Sequence, residues 1–274
     1  MWEANIALTI ELYSPTGNCN YRLASFPVVC QNPVLVYVDE MIIACYGGQS
    51  CWEYDVKENS WSEIAEAPFT PNIQPGVVYR EKVYVMDEYN PQVLDSSSKT
   101  WSSWPSPPKK SGLYPWMVGW KDCIILLGGI MNLKGVQIFN ITEQTWTVMD
   151  SSQVPMEIYW SSSLTLSNGN IFIAGSQAPD YQHSAAFYNP ADNAWIELEK
   201  TAISKWGTRL VQLGSRIFSI DGFPNDFVEE FDLENVTWIP VDFKLLDLQD
   251  GHHSVLALPA RLFSHLPGGC QGIV

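Results

Sequence analysis

Basic residues are scarce in this sequence, and their scarcity excludes several classes of function. The chain has 274 residues, with 15 lysines and arginines against 30 aspartates and glutamates, so its formal net charge is −15. Nucleic acids and anionic membrane surfaces are bound through a positive field, which a protein this acidic does not supply. We therefore expect no nucleic-acid partner, and the acidic balance favours a basic or amphipathic protein or peptide instead.

Long apolar runs and common catalytic motifs are also missing. No stretch reaches the roughly 18 consecutive apolar residues that a membrane-spanning helix needs, so we predict no membrane span. The sequence contains no GxSxG nucleophile motif, no glycine-rich phosphate loop and no CxxC pair. We identify no catalytic residue, and these absences favour a non-enzymatic protein without a cofactor.

Only four histidines occur, which limits metal chemistry. The richest segment has Asp247 and Asp250 shortly before His252 and His253. Neighbouring residues of a strand point to opposite faces, so two adjacent imidazoles do not easily share one ion. We therefore predict no metal site.

One pattern recurs along the whole chain. An aromatic residue or leucine that ends a short apolar strand is followed seven residues later by tryptophan, with turn-forming residues between the two. Units of roughly 40 to 50 residues, none able to bury its own apolar face, indicate a propeller or a solenoid. The five pairs are Tyr54 and Trp61, Leu94 and Trp101, Phe139 and Trp146, Tyr188 and Trp195, and Phe231 and Trp238; a sixth, Tyr13 and Tyr21, is one residue longer.

Each unit also has two apolar runs before the paired residues, such as residues 34–38 and 41–46, and the second run ends at a diglycine, Gly47 and Gly48. Four strands, a diglycine and a spaced aromatic pair resemble the kelch repeat, and the resemblance covers nearly the whole chain. It implies an all-β propeller of four-stranded antiparallel blades that forms one domain, residues 1–274. The second unit departs from the pattern at Met86 and Asp87, which stand in place of the diglycine. We expect no BTB region of the kind that kelch adaptors of ubiquitin ligases carry.

The two ends of the chain predict how the propeller closes. Residues 5–26 contain only the outer hairpin of a unit, and residues 253–269 contain only its two inner strands. We predict that these halves share one sheet as blade six and close a six-bladed ring, since closure removes free sheet edges. An open solenoid would leave two edges unpaired.

Loops before the first strand of a blade and after its second strand emerge on one face, which we call the loop face. These loops differ between blades, so we expect the loop face to bind one asymmetric protein or peptide. The resemblance implies that the five repeated tryptophans pack between blades, whereas Trp116, Trp160 and Trp206 either pack along the inner strands or form an aromatic rim around the channel. The candidate binding residues are Gln49, Tyr89, Trp116, Trp160, Tyr181, Trp206, His252 and His253.

Six cysteines allow two candidate disulfides. Cys45 and Cys51 flank the diglycine loop of blade one, and a hairpin brings such positions within bonding reach. Cys30 and Cys270 should emerge near the closing seam of the ring, where a bridge would clasp it. Disulfides predict an extracellular protein; six reduced thiols and a cytoplasmic location are the alternative.

Two triplets, Asn140-Ile141-Thr142 and Asn235-Val236-Thr237, are N-glycosylation sequons in predicted exposed hairpin turns. About two are expected by chance at ordinary residue frequencies, so they agree with secretion without establishing it.

Three functions stay open on the sequence. The leading hypothesis is a non-enzymatic binding or scaffold module. A sugar-modifying enzyme similar to sialic acid mutarotases would need an acid and a base in the channel, and Glu63, Glu66, Glu88 and Glu157 show no pair by their spacing. The third is an extracellular structural protein that self-associates through its rim aromatics.

Overall fold

In a computed structural model of the protein, every regular element in the part described is a β-strand. The described residues are 11–13, 20–28, 33–46, 50–69, 76–87, 91–177, 182–200, 207–220, 227–244, 256 and 258. No helix in these ranges is long and apolar enough to cross a membrane.

The strands form one two-stranded sheet and five four-stranded sheets. The two-stranded sheet pairs β1 (Glu11–Tyr13) with β2 (Asn20–Arg22). Blade one contains β3 (Val34–Val38), β4 (Met41–Cys45), β5 (Ser50–Asp55) and β6 (Ser60–Glu66). Blade two contains β7 (Gly76–Tyr79), β8 (Lys82–Val85), β9 (Gln92–Asp95) and β10 (Thr100–Ser103). Blade three contains β11 (Trp116–Trp120), β12 (Cys123–Leu127), β13 (Val136–Asn140) and β14 (Thr145–Val148).

Blade four contains β15 (Ser161–Thr165), β16 (Ile171–Gln177), β17 (Gln182–Asn189) and β18 (Ala194–Leu198). Blade five contains β19 (Arg209–Leu213), β20 (Arg216–Ile220), β21 (Phe227–Asp232) and β22 (Thr237–Lys244). All pairings are antiparallel and follow chain order within each blade. The first strands contact one another in sequence, β3 with β7, β7 with β11, β11 with β15 and β15 with β19. The protein is therefore an all-β propeller whose first strands are innermost.

The blade count corrects the expectation from the sequence, because the part of the chain that the structure describes forms five four-stranded blades and not six. The N-terminal hairpin was expected to be half of a sixth blade, and it stands as a two-stranded sheet. Of its expected C-terminal partner, residues 253–269, only Leu256 and Leu258 lie within the described residues. A blade built from two distant segments needs both of them, whereas each of the other five comes from one continuous segment.

The outer hairpins have the predicted turn chemistry. In the turn after β5, the Asp55 carboxylate accepts hydrogen bonds from the Lys57 and Glu58 amides at 2.8 and 3.0 Å. The fourth turn residue, Asn59, has a φ of 49°, which such a hairpin needs in order to return the chain. Tyr54 and Trp61 consequently stand directly opposite each other, and the other four pairs have the same register.

The sixth pair does not have this register. Tyr13 lies opposite Asn20, and Tyr21 lies opposite Leu12. Antiparallel partners are equally far from the centre of their turn, and the extra residue between Tyr13 and Tyr21 shifts Tyr21 by one position in the register.

The hydrophobic core lies between neighbouring blades. Val118 and Ile125 of blade three, for example, share a buried cluster with Ile171, Ile173 and Tyr188 of blade four. The five repeated tryptophans pack into or against such clusters, which agrees with the role that the kelch resemblance implies for them.

Three of the repeated tryptophans also hydrogen bond to the backbone that leaves the preceding sheet. The Trp146 indole donates to the Pro105 carbonyl at 2.9 Å, and the Trp238 indole donates to the Glu199 carbonyl at 3.2 Å. The third bond runs from Trp61 to the Ala24 carbonyl at 3.0 Å. Each bond links two consecutive sheets through a backbone carbonyl that would otherwise need another partner.

Candidate functional site

Three loops of blades three and four are joined by backbone hydrogen bonds on the loop face. Met131, in the loop after β12, donates to the Ser111 carbonyl of the loop before β11 at 2.9 Å. On its other side, Gly129 donates to the Ile158 carbonyl of the loop before β15 at 2.8 Å, and Ile158 donates back to the Leu133 carbonyl at 2.7 Å. These bonds tie the loops into one surface, the loop platform, which comprises residues 111–115, 128–135 and 158–160.

The diglycine of blade three permits this close approach. Gly128 and Gly129 have φ angles of 63° and 100°, which side chains rarely adopt. A Cβ on Gly128 would overlap the Ile158 carbonyl oxygen, and a Cβ on Gly129 would overlap the Ser111 carbonyl oxygen. The diglycine of blade three therefore serves a packing role, since it lets three backbones meet.

An apolar projection stands on the loop platform. Ile130 and Met131, directly after the diglycine, are 46% and 61% exposed. The Met131 side chain runs over Gly112, where an added Cβ would lie 2.6 Å from the Met131 Cγ. Large apolar side chains this exposed on hydrogen-bonded backbone are available for contact with another molecule.

Beside this projection, two aromatic side chains meet between blades three and four. The ring centroids of Tyr114 and Trp160 are 4.8 Å apart and the angle between the ring planes is 82°, which is a favourable edge-to-face contact. Both residues have positive φ, 60° and 51°, which costs about 1 to 3 kcal/mol for a residue with a side chain. Backbone strain of this kind concentrates at functional sites, where the surrounding structure maintains it.

Trp116 lies deeper, at the start of the innermost strand β11. Its indole donates to the Ser163 carbonyl of blade four at 3.3 Å, and the Arg209 guanidinium of blade five lies 5.3 Å from its ring centre. Arg209 is buried and also donates to the Gly207 carbonyl at 3.1 Å. The Trp116 ring thus connects the inner strands of three blades, as packing along the channel would. Trp160 belongs instead to the loop platform.

Of the predicted binding residues, the structure describes Trp116 and Trp160. Trp160 packs against Tyr114, whereas Trp116 contacts Arg209 and Ser163. Sequence reasoning did not select Ile130 and Arg209. An Ile-Met pair directly after a diglycine was the available signal for Ile130, and nothing in the sequence marked Arg209. The predicted residues outside the described ranges are Gln49, Tyr89, Tyr181, Trp206, His252 and His253, and the same holds for Cys30 and Cys270.

No model of a known protein family matches this chain. The propeller architecture is shown by the strands, whereas the likeness to kelch repeats rests on the repeated residues alone.

The predicted disulfide between Cys45 and Cys51 is confirmed. The two residues are opposite each other on β4 and β5, with their Cα atoms 4.2 Å apart, and both are buried. The bond joins the two strands at the point where the loop between β4 and β5 begins and ends, on the loop face of blade one. Cys123 has a free thiol, and burial, aided by the Asp122 and Glu143 carboxylates, raises its pKa. That thiol stays largely protonated at neutral pH and is a weak nucleophile.

The described carboxylates considered for an acid and base pair lie on the outer strand of blade one and in the loop before blade four. Glu63 and Glu66 are on β6, the outermost strand of blade one, and Glu63 accepts a hydrogen bond from Ser50. Glu157 is in the loop before β15, and Glu88 lies outside the described residues. Within the described ranges, no three His, Cys, Asp or Glu side chains form a group that could hold a metal ion.

Proposed function

We propose that this protein is a non-enzymatic binding module, a single kelch-like propeller domain whose loop face holds one protein or peptide partner. The observation that carries the proposal is the pair of exposed apolar residues, Ile130 and Met131, on a hydrogen-bonded platform beside the strained Tyr114 and Trp160. A preformed apolar surface binds with little loss of conformational entropy.

The loop face is asymmetric, which supports a single partner over repeated copies of a small ligand. In blade two, Met86 and Asp87 stand at the positions of the blade-three diglycine, and the residues that follow them in the sequence are Glu88 and Tyr89. The sequence of blade two therefore does not repeat the Ile130-Met131 pair of blade three.

The partner we propose is basic or amphipathic and extracellular. The net charge of −15 supports electrostatic attraction of a basic partner, and Met131 and Ile130 would contact its apolar side. The buried Cys45–Cys51 disulfide supports an oxidising compartment. Attraction of this kind is screened by salt, so the association rate should fall as ionic strength rises. A rate that is the same at low and high salt would contradict the electrostatic part of the proposal.

We also propose that the two ends of the chain meet beside blade one and close the ring. The bond from Trp61 to the Ala24 carbonyl repeats the bonds from Trp146 and Trp238 to the linkers of their preceding blades. Ala24 follows β2, which supports a position of the two-stranded sheet next to blade one. Leu256 and Leu258 pack in one cluster with Leu23 against blade one, which supports a meeting of the two ends of the chain there.

A double-mutant cycle tests this closure. Leu23→Ala and Leu258→Ala should be non-additive by about 0.5 kcal/mol or more in the free energy of unfolding, because residues of one cluster share contacts. Leu198→Ala of blade four, combined with Leu258→Ala, is the control and should be additive. Additivity in both pairs would contradict closure by the C-terminal segment.

Peptide binding tests the loop face directly. Peptides selected on the protein from a displayed library of basic amphipathic sequences should lose at least about tenfold in affinity with Met131→Ser, since a buried methionine contributes about 1.5 kcal/mol or more. Ile196→Ser is the matched control, because Ile196 is also 61% exposed but lies on the outermost strand β18 of blade four. Equal affinities of the two variants would refute binding at the loop platform.

A further inference from the structure

Both N-glycosylation sequons lie in turns between the third and fourth strands of their blades. Asn140 ends β13, and Asn235 lies in the turn between β21 and β22. Turns of this type are at the end of the blade opposite the loop face, and we call that end the turn face. The Ile141 amide donates to the Asp122 carbonyl at 3.0 Å, which joins the sequon turn to the turn between β11 and β12. Neither sequon contributes to the loop platform.

The two polar atoms of the Asn140 side chain differ in their hydrogen bonding. Its Oδ1 accepts hydrogen bonds from the Thr142 and Glu143 amides, both at 3.0 Å, and so maintains the turn. Its Nδ2 makes no hydrogen bond to any residue that the structure describes. A glycan bonded to Nδ2 leaves Oδ1 an acceptor, so the folded turn accommodates the modification without losing either bond.

Asn235 is exposed, and its side chain is also compatible with a glycan. Its Nδ2 donates to one Asp232 carboxylate oxygen at 2.8 Å, while its backbone amide donates to the other at 3.1 Å. A glycosylated Nδ2 retains one N–H, which can continue to donate to Asp232. The backbone bond is unaffected, so the turn is maintained.

We propose that Asn140 and Asn235 carry N-linked glycans, and that these glycans cover the turn face and leave the loop face open. The buried Cys45–Cys51 disulfide supports passage through an oxidising compartment, where this modification takes place. The co-substrate is a lipid-linked oligosaccharide diphosphate. A bond forms between Nδ2 and the anomeric carbon, the bond from that carbon to the diphosphate oxygen breaks, and Nδ2 loses one proton to a base of the transferase.

The distance between the faces lets glycans and a partner coexist. Asn140 and Val136 are at opposite ends of β13, roughly 13 Å apart at 3.3 Å per residue, and Val136 adjoins the platform loop 128–135. The proposal does not depend on the proposed binding function, because occupancy of the asparagines is measured without a partner.

The test is the intact mass of the full chain, expressed behind a secretion leader in a eukaryotic host, before and after treatment with a peptide N-glycosidase. We expect two glycans on the parent, one on Thr142→Ala, one on Thr237→Ala and none on the double variant. These variants keep both asparagines, so a lost glycan reports the sequon and not a missing side chain. Asn189→Gln, in the equivalent turn of blade four but outside a sequon, should keep both.

Occupancy is also read on the microsome-associated chain, so that a variant that fails to be secreted still gives a result. A parent chain whose mass is unchanged by the glycosidase in both pools would overturn the proposal. If the glycosylated chain binds no peptide at the loop face and the deglycosylated chain does, the glycans do not leave the loop face open, and that part of the proposal is wrong. If the completely deglycosylated chain also binds no peptide, the result contradicts the proposed binding function and not the glycosylation.

Discussion

Substituting Gly128 by alanine should break the contact between blades three and four that supports the loop platform. A Cβ there would overlap the Ile158 carbonyl oxygen, and the φ of 63° is unfavourable for alanine. Alanine at such a φ costs about 1 kcal/mol, and an overpacked site adds about 1 to 3 kcal/mol. We therefore expect Gly128→Ala to lower the free energy of unfolding by about 2 to 4 kcal/mol.

Gly214 provides a closely matched control. Its φ is 64°, but a Cβ there would meet no atom within 4 Å, so Gly214→Ala should cost only the conformational part, about 1 kcal/mol. Urea unfolding followed by tryptophan fluorescence gives both values. Hydrogen exchange of the Gly129 amide, which donates to Ile158, reports the platform locally and should accelerate in Gly128→Ala alone. Equal losses of stability with equal exchange rates would refute the steric account of the diglycine.

Three further predictions concern the hairpins and the disulfide. Trp146→Phe should destabilise the protein by about 1 kcal/mol more than Trp195→Phe, because the Trp146 indole donates to Pro105 and the Trp195 indole has no hydrogen bond among the described residues. Equal urea midpoints would contradict this. The double substitution of Cys45 and Cys51 by alanine should cost about 2 kcal/mol, the loop-entropy value for so short a loop, and a variant as stable as the parent would show that the bond contributes nothing. Hydrogen bonds from Ser98 lower the pKa of the Asp95 carboxyl, so its stabilisation is present above about pH 4 and is lost as the pH falls through the folded pKa. Urea midpoints between about pH 6 and about pH 2 should therefore fall less in Asp95→Ala than in the parent, and parallel pH profiles would refute the contribution.

The hairpins could be predicted from the sequence because their causes are local. The seven-residue interval from Tyr54 to Trp61 fixes the turn length, and Asp55 supplies the side chain that caps it. The Cys45–Cys51 bond was predictable for the same reason, since a short loop leaves its flanking residues opposite each other. The interval between Tyr13 and Tyr21 is one residue longer, and this difference in the sequence indicates a different pairing.

What depends on distant segments could not be predicted in the same way. Ile130 and Met131 are exposed on a fixed surface because Ser111 and Ile158, from two other loops, accept and donate backbone hydrogen bonds around them. The contact of Arg209 with Trp116 joins residues of blades five and three. No interval in the sequence records either contact, because each follows from the relative placement of whole blades.

The hydrogen bonds from Trp61, Trp146 and Trp238 all point backwards along the chain, to carbonyls that precede them by 37 to 41 residues. During synthesis on the ribosome, each of these indoles therefore emerges after the carbonyl it needs, so its contact with the preceding sheet can form before later sequence is made. Assembly of the stack can then keep pace with translation.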